Sequence, residues 1–506
     1  MSSALIFRNF LALALRLLIV LIISLFTTRA VLQNLGVLDY GIFVVIHGLV
    51  GLLAFLSSAM STGTQRFISI EIGRMDKEGA NLRYNAATSI HFALAIFFLI
   101  AASSFGDTLL QSILVLPDSR LNELVVVLKC LAVVVVVNIL SVPAQSLLNA
   151  HERMDIIAAI SVLQAAMNLC LALGLYYADT HKLVYYSAGL ALINTLALFS
   201  LMIVARTKFP SYRIRLIHLR DMTAIRGQLG FSIWNLFGSV ASIAQNQGLS
   251  ILLNNFYGPA VNAAFGISQQ IYMQLSTLSA TLTKAFSPQI VKSEGSGKRS
   301  KLIELTYLTS KYTFLLLFVF CMPLISNSKY LLSVWLVEVP NFSSNFVELI
   351  VVMLLVNQIT VSLIIAIQAV GKIALYQFIV GCTLISALPI SFAYLYFGFD
   401  PEHVLYIYLV VAIVAGAMRI LFAKQLVGIV IGDWFSSVLL PISKVTLIYA
   451  VVRIAVSYVG IFEKSASGSV LFDFLFSVVI VIFFGLSSAE RKKIFTSVVN
   501  RISFIR

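Results

Sequence analysis

The sequence predicts an all-α, polytopic membrane protein, and three observations predict it. About fourteen long apolar stretches follow one another along the 506 residues. Charged residues make up only 11% of the chain, where a soluble chain carries about a quarter. Basic residues also gather between alternate pairs of apolar stretches. A hydrocarbon core about 30 Å thick takes roughly 20 apolar residues per spanning helix, so each stretch suffices for one crossing. The expected architecture is two six-helix lobes, a parallel repeat about a pseudo-two-fold axis along the membrane normal, followed by two C-terminal helices.

The elements follow in chain order. An N-terminal lobe, 1–205, holds spans near 10–31, 41–61, 85–105, 124–146, 156–178 and 183–205. The first has no small-residue cleavage signal behind it and reads as a retained helix rather than a cleaved leader. A basic cytoplasmic linker, 206–224, precedes a C-terminal lobe, 225–424, with spans near 225–252, 261–284, 305–326, 346–368, 373–397 and 403–424. Residues 425–506 supply two more spans, 441–460 and 467–489, and a basic cytoplasmic tail. Arg453 interrupts 441–460, so a count of about twelve is the rival.

Charge sets the orientation. Even spacing puts both termini on one side, and loops on that side hold 25 of the 35 Lys and Arg. They include Arg66, Arg74, Lys77 and Arg83, then Arg206 to Arg226, Lys292 to Lys301, and Arg491 to Arg506. The opposite side has Arg29, Arg120, Lys182, Lys329 and Lys464. The positive-inside rule therefore places both termini in the cytoplasm. The asymmetry accounts for most of the net charge of +14 without nucleic acid, and suits contact with anionic headgroups.

A weak internal echo supports the repeat. Asp39-Tyr40-Gly41 opens the second span, and Phe256-Tyr257-Gly258 opens the eighth, about 217 residues later. Asn149-Ala150 to Arg153 and Gln368-Ala369 to Lys372 form a second pair, offset by 219. Each offset covers six spans, an even number, so the repeats share one orientation across the membrane.

Polar residues recur at helical spacing in three spans. His47, Gly51, Ala54, Ser58, Ser61 and Gln65 line the second; Gln228, Ser232, Asn235, Ser242 and Gln245 the seventh; Asn262, Gly266, Gln269, Ser276 and Thr283 the eighth. Lipid offers these groups no hydrogen-bond partner, so they face protein or water. Single residues of this kind often glue helices together; matching stripes on these opening helices of the lobes favour a shared cavity. Candidate lining residues are His47, Asn235, Gln245 and Gln269. His47 and His91 have no carboxylate partner in view and read mainly as packing residues.

Charges inside spans are sharper signals. Arg16, Lys129, Lys311, Arg419 and Arg453 lie within predicted helices, and Arg29 at the outer end of the first. A charge at mid-membrane costs about 2.5–3.5 kcal/mol on insertion scales, so pairing or function must hold it there. Acidic residues mostly mark ends and loops, apart from Asp473 in the last span. A cavity whose buried charges are basic suits an anion, and Arg binds phosphate oxygens bidentately. Arg16, Arg29, Lys311 and Arg419 are the cationic candidates, with Arg453 behind them.

Other chemistry finds no signal. There is no G-x-x-x-x-G-K-[ST] phosphate loop and no H-E-x-x-H. Cys130, Cys170, Cys321 and Cys382 are widely spaced in apolar stretches and suggest neither a disulfide framework nor a metal site. Tyr176, Tyr177, Tyr185 and Tyr186 cluster near the outer surface, where an interfacial belt is the expected role.

Four stretches carry a resemblance. They are Leu35-Gly36-Val37-Leu38-Asp39-Tyr40-Gly41; Gly63-Thr64-Gln65-Arg66-Phe67-Ile68-Ser69 with Glu71 and Gly73; Asn149-Ala150-His151-Glu152-Arg153-Met154-Asp155; and Phe286-Ser287-Pro288-Gln289-Ile290. In order and placement the chain resembles the Wzx polysaccharide flippases, within the superfamily that also holds the multidrug and toxic-compound extruders and the lipid II flippase MurJ. The resemblance implies a non-enzymatic carrier that turns a polyprenyl-diphosphate-linked glycan, such as an O-antigen repeat unit, to the outer leaflet of the bacterial inner membrane. It implies alternating access to a central cationic cavity, for which this sequence offers Arg16, Arg29, Lys311 and Arg419. Membrane lipids and other polysaccharide-assembly proteins are the expected partners, and a monomer the expected form. No cofactor is implied, and a proton or sodium gradient is compatible as the drive. Two readings compete: a drug or cation exporter of the same superfamily, which predicts acidic cavity residues in the first lobe, and a glycan-assembly enzyme such as a polymerase, which predicts a large catalytic outer loop.

Overall fold

The computed structural model describes residues 3–51, 54–113, 121–178, 180–213, 215, 221–336, 339–460, 465–488 and 490–491. Arg120, Lys464, Arg220 and the tail residues Lys492, Lys493, Arg501 and Arg506 lie outside them.

Apolar side chains cover the outside of the helices. Phe26, Phe97, Phe199, Ile203, Val410, Ile454 and Phe483 are all largely exposed, while Asn85, Ser146, Ser268, Thr309, Ser310 and Asp473 are buried. That inversion is stable where the surroundings are lipid, because only groups turned inward find hydrogen-bond partners. The protein is a multi-pass membrane protein.

The helices are α1 (Ser3–Gly51), α2 (Ala54–Gly73), α3 (Lys77–Ile113), α4 (Leu121–Ala150), α5 (Met154–Gly174) and α6 (Lys182–Lys208). After the linker come α7 (Met222–Gly295), α8 (Arg299–Ser326), the short α9 (Ser328–Trp335), α10 (Ser343–Gln358), α11 (Val361–Val370), α12 (Ala374–Tyr396) and α13 (Val404–Val427). Two further spans, α14 (Ile431–Val459) and α15 (Ala466–Gly485), complete the described fold. Where starts are capped, the caps are those expected of an N-terminus with free N–H groups. Asp76 Oδ1 accepts from Gly79 N at 2.8 Å before α3, and Asp221 Oδ1 from Ala224 N at 2.8 Å before α7.

Among the described residues, eleven helices are long and apolar enough to cross a membrane. The predicted spans missing from that set are 41–61, 225–252 and 261–284. Their described residues are helical, in α1 and α2 for the first and in the two arms of α7 for the others. The two arms of α7 fall short on apolarity because each carries a polar stripe, whereas 41–61 runs across residues 52–53, which lie outside the described ones.

Both long helices are broken by glycine. Gly36 in α1 has φ 79 and ψ 168, and Gly258 in α7 has φ 80 and ψ −179. This backbone region is essentially restricted to glycine, since a Cβ would clash. The two breaks lie 222 residues apart. The conformational match to Gly258 is therefore Gly36, and the predicted pairing of Gly258 with Gly41 is displaced by five residues. The second echo keeps its register. Each three-residue join, 151–153 and 371–373, turns on one residue with positive φ, Glu152 and Gly371, which are 219 residues apart.

By internal packing the chain divides into two compact units, Ser3–Leu236 with Gly295–Gly297, and Phe237–Glu294 with the chain from Lys298 onward. In the first unit Val31 and Ile46 of α1 pack with Leu131 of α4, Ala172 of α5 and Leu183 of α6. Buried Asn85 of α3 grips the linker, donating to Arg213 O at 2.9 Å and accepting from Arg215 N at 2.9 Å. In the second unit Leu253 and Phe265 of α7 pack with Phe346 of α10, Ala387 of α12 and Tyr408 of α13. Tyr408 donates its hydroxyl to Gln245 O at 3.1 Å.

Candidate functional site

The sequence pointed to buried bases, and the second unit holds three candidates in different surroundings, two buried and Arg453 half-buried. Arg419 sits in the middle of α13 and is 7% exposed. Its Nη1 donates to Asn357 Oδ1 and to Thr360 Oγ1, both at 3.1 Å. Tyr376 of α12 and Tyr272 of α7 face the same guanidinium. These neighbours are all neutral, and Arg419 Nε is buried without a hydrogen-bond partner among the described residues. The acceptors are there because the helix breaks. α10 ends at Gln358 and α11 begins at Val361, so the polar run Asn357-Gln358-Ile359-Thr360 sits at a joint rather than in a continuous helix. The predicted uninterrupted span 346–368 missed this joint. The Gln358 carboxamide oxygen accepts from Ser279 Oγ of α7 at 2.5 Å.

Lys311 of α8 has a different environment. Its Nζ lies 2.6 Å and 2.8 Å from the two carboxylate oxygens of Glu490, and Tyr312 adds its hydroxyl to Glu490 Oε1 at 2.9 Å. Glu490 follows the last span. Burial opposes its charge, but the bonds from Lys311 and from Ser487 N outweigh burial and hold its pKa below the usual glutamate value. Lys311 therefore meets a carboxylate that lay beyond the predicted helices. Arg453 of α14 is paired too, with Nε 3.5 Å from Asp473 Oδ2 and Nη2 3.2 Å from Ser469 Oγ, both on α15.

In the first unit Arg16 is half-buried in α1, whereas Arg29 and His47 are exposed, with His47 stacked on Phe43 at 5.4 Å. Lys129 is exposed. Asn235, in the part of α7 that belongs to this unit, is buried. His91 is buried and bonds Ala87 O at 2.7 Å, a packing role.

The polar stripes are partly internal glue. Across the α7 break, Ser250 donates to Asn262 at 2.7 Å and Gln269 to Asn246 at 3.3 Å. Gln228 donates to Arg83 O at 2.9 Å. Gln245 is buried beside Tyr408. Two of the stretches that carried the resemblance likewise make packing and ion-pair contacts. Arg66 lies between the rings of Phe67 and Phe231, at 4.8 Å and 4.7 Å. Glu71 is held by Arg74 and Arg83 at 3.3 Å and 3.5 Å, and Arg153 clasps Asp155 through two bonds of 3.1 Å.

No family model matches the chain, and no curated protein does. Solved structures do. A MATE in its bent conformation matches with TM-score 0.70 and 14% identity over 85% of this chain and 98% of its own. An outward-facing multidrug resistance MATE family transporter of the MOP superfamily matches with TM-score 0.67 and 14% identity, over 83% and 96%. A MOP superfamily transporter from Pyrococcus furiosus, described by a reverse polarity of its binding pocket that suggests a different function, gives TM-score 0.67 and 14% identity over the same shares.

The chain has the MATE fold.

That likeness is one of fold, and it is coarser than the Wzx resemblance read from the four stretches. At this identity it speaks of architecture and leaves the cargo to the residues.

Proposed function

We propose that the protein is an alternating-access transporter of the bacterial inner membrane, with both termini cytoplasmic. We further propose that its cargo is an isoprenoid-diphosphate-linked oligosaccharide carried from the cytoplasmic to the outer leaflet. The fold supports an alternating-access transporter, and the distribution of basic residues supports the orientation. One observation carries the second proposal: Arg419 is buried amid neutral groups, with a donor to spare. A buried guanidinium without a carboxylate is costly unless an anion visits it, and its fork of N–H groups suits phosphate oxygens. Moving a diphosphate through hydrocarbon would strip its hydration; basic and amide side chains replace that water while the lipid tail stays in the bilayer. No covalent bond changes. Gln245 and Gln269 are further candidates in the same unit as Arg419, and Arg16, Arg29, His47 and Asn235 are candidates in the first unit, whereas Lys311 and Arg453 serve first as ion-pair partners. The Pyrococcus furiosus structure supports the idea that this fold accommodates pockets of different polarity.

The second reading is a multidrug or cation exporter. It draws on the comparisons, which are mostly MATE structures and include a multidrug resistance transporter, and on architecture they favour it over the flippase. Proteoliposomes decide between them. The flippase reading expects outward delivery of a fluorescent isoprenoid-diphosphate oligosaccharide that falls at least about tenfold in Arg419→Gln, a loss of about 1.4 kcal/mol in transition-state stabilisation. Efflux of a lipophilic dye cation without delivery of the lipid would establish the exporter instead.

A further inference from the structure

Asp473 lies on α15, outside both predicted lobes, and is fully buried. By bond geometry only one of its carboxylate oxygens is engaged among the described residues. Oδ2 accepts from Asn327 Nδ2 at 2.7 Å and faces Arg453 Nε at 3.5 Å. Oδ1 is buried with no hydrogen-bond partner among the described residues. Three helices meet at this carboxyl. From α8 and its end come Ser326 and Asn327, both uncharged. From α14 come Arg453 and Tyr449, whose hydroxyl bonds Ser326 Oγ at 2.9 Å and lies close enough to the carboxyl to act as a further hydrogen-bonding neighbour. From α15 itself come Ser469, which takes the other end of Arg453, and Ser477, whose hydroxyl donates to Asp473 O at 2.6 Å. Arg453 is thus the one cation facing Asp473 among the described residues, across a loose contact.

We propose that Asp473 is a proton-binding site, with Arg453 as its exchangeable counter-charge and Oδ1 as the position the proton takes. An ionised carboxylate has about four lone-pair sites to satisfy, and leaving one oxygen bare in a low-dielectric interior disfavours the charged form. Uptake of one proton by Oδ1 gives a neutral acid that can donate to Tyr449. It leaves the net charge of the pair at +1 on Arg453. The two partners differ in access: the Arg453 side chain is 21% exposed and the Asp473 side chain 0%. Arg453 can therefore keep its charge against headgroups or water while Asp473 goes neutral. The charge contact between α14 and α15 exists only in the deprotonated state. On the transporter reading above, this is where a proton gradient enters the cycle; proton binding itself does not depend on that reading.

Infrared difference spectroscopy of the full-length protein in lipid nanodiscs, titrated with pH, tests it. The wild type is expected to gain one carboxylic-acid carbonyl band that Asp473→Asn lacks. Arg453→Gln removes the opposite charge, and should move the midpoint of that band upward by about one pH unit or more, a tenfold rise in proton affinity. A static ion pair predicts otherwise. No protonated band in the wild type, the same band in Asp473→Asn, or a midpoint unmoved in Arg453→Gln would each overturn the proposal; should Asp473→Asn fail to fold, the Arg453→Gln midpoint decides. In proteoliposomes, Asp473→Asn should also lose acceleration of fluorescent-lipid delivery by an imposed pH gradient while keeping delivery down a cargo gradient. If the wild type delivers no such lipid, the flippase reading fails, while the spectroscopic result stands.

Discussion

The contact between Lys311 and Glu490 allows a quantitative test of how the chain beyond the last span is held. The two side chains are 9% and 15% exposed, with N···O distances of 2.6 Å and 2.8 Å. Removing one partner of a buried pair costs about 3–5 kcal/mol, because the other charge stays buried alone. Glu490 keeps some water, and Tyr312 and Ser487 N still bond it, so Lys311→Met should lie near the lower end, about 3 kcal/mol. Glu490→Gln strands the ammonium and should lose a similar amount. Replacing both removes two desolvation penalties together, so the double variant should come within about 1–2 kcal/mol of wild type. The expected coupling is therefore several kcal/mol, far above the roughly 0.5 kcal/mol scatter of independent sites. Steric trapping of the unfolded state in bicelles measures all four proteins. If the two single losses simply add, the pair does not hold the segment around Glu490 as the geometry requires.

Three other outcomes follow from single contacts. Acidification should loosen the segment around Glu490: its pKa lies below the ordinary glutamate value of 4.5, so its stabilising contribution is complete above that value and is lost as pH falls through the lowered one, read as rising mobility of a spin label at position 488. Asn85→Ala removes both bonds to the linker backbone, worth about 2 kcal/mol together, and should raise trypsin cleavage within 206–215 while sparing the helices. Gly295→Ala would put a Cβ 2.2 Å from the Ile70 carbonyl oxygen, so the variant should lose about 1–3 kcal/mol and melt earlier.

Hydrophobic length marked the helices, and in the two least apolar, the arms of α7, polar residues recurring at helical spacing supported the reading. The helix breaks were harder. The Tyr-Gly letters at 40–41 and 257–258 matched, yet conformation follows φ, and the glycine with positive φ in the first unit is Gly36. Buried bases stood out as charges in apolar runs, since nothing local can satisfy them. Their partners could not be read, because Lys311 and Glu490 are 179 residues apart and Arg419 and Asn357 62 apart. Such pairs exist only once helices pack. The Asn357 to Thr360 run was visible as polar letters, but its role depends on the helix ending there. Asp473 was noticed for its depth, and only packing shows that Arg453 lies against it.

The most direct test of the anionic-cargo account is binding rather than transport. Native mass spectrometry of the purified protein should retain a soluble isoprenoid-diphosphate analogue in preference to a lipophilic dye cation. Arg419→Gln should weaken the diphosphate at least about tenfold, the loss of one charge-assisted contact, and leave the cation unchanged. Equal retention of the diphosphate by wild type and Arg419→Gln, with tighter binding of the cation, would contradict the account.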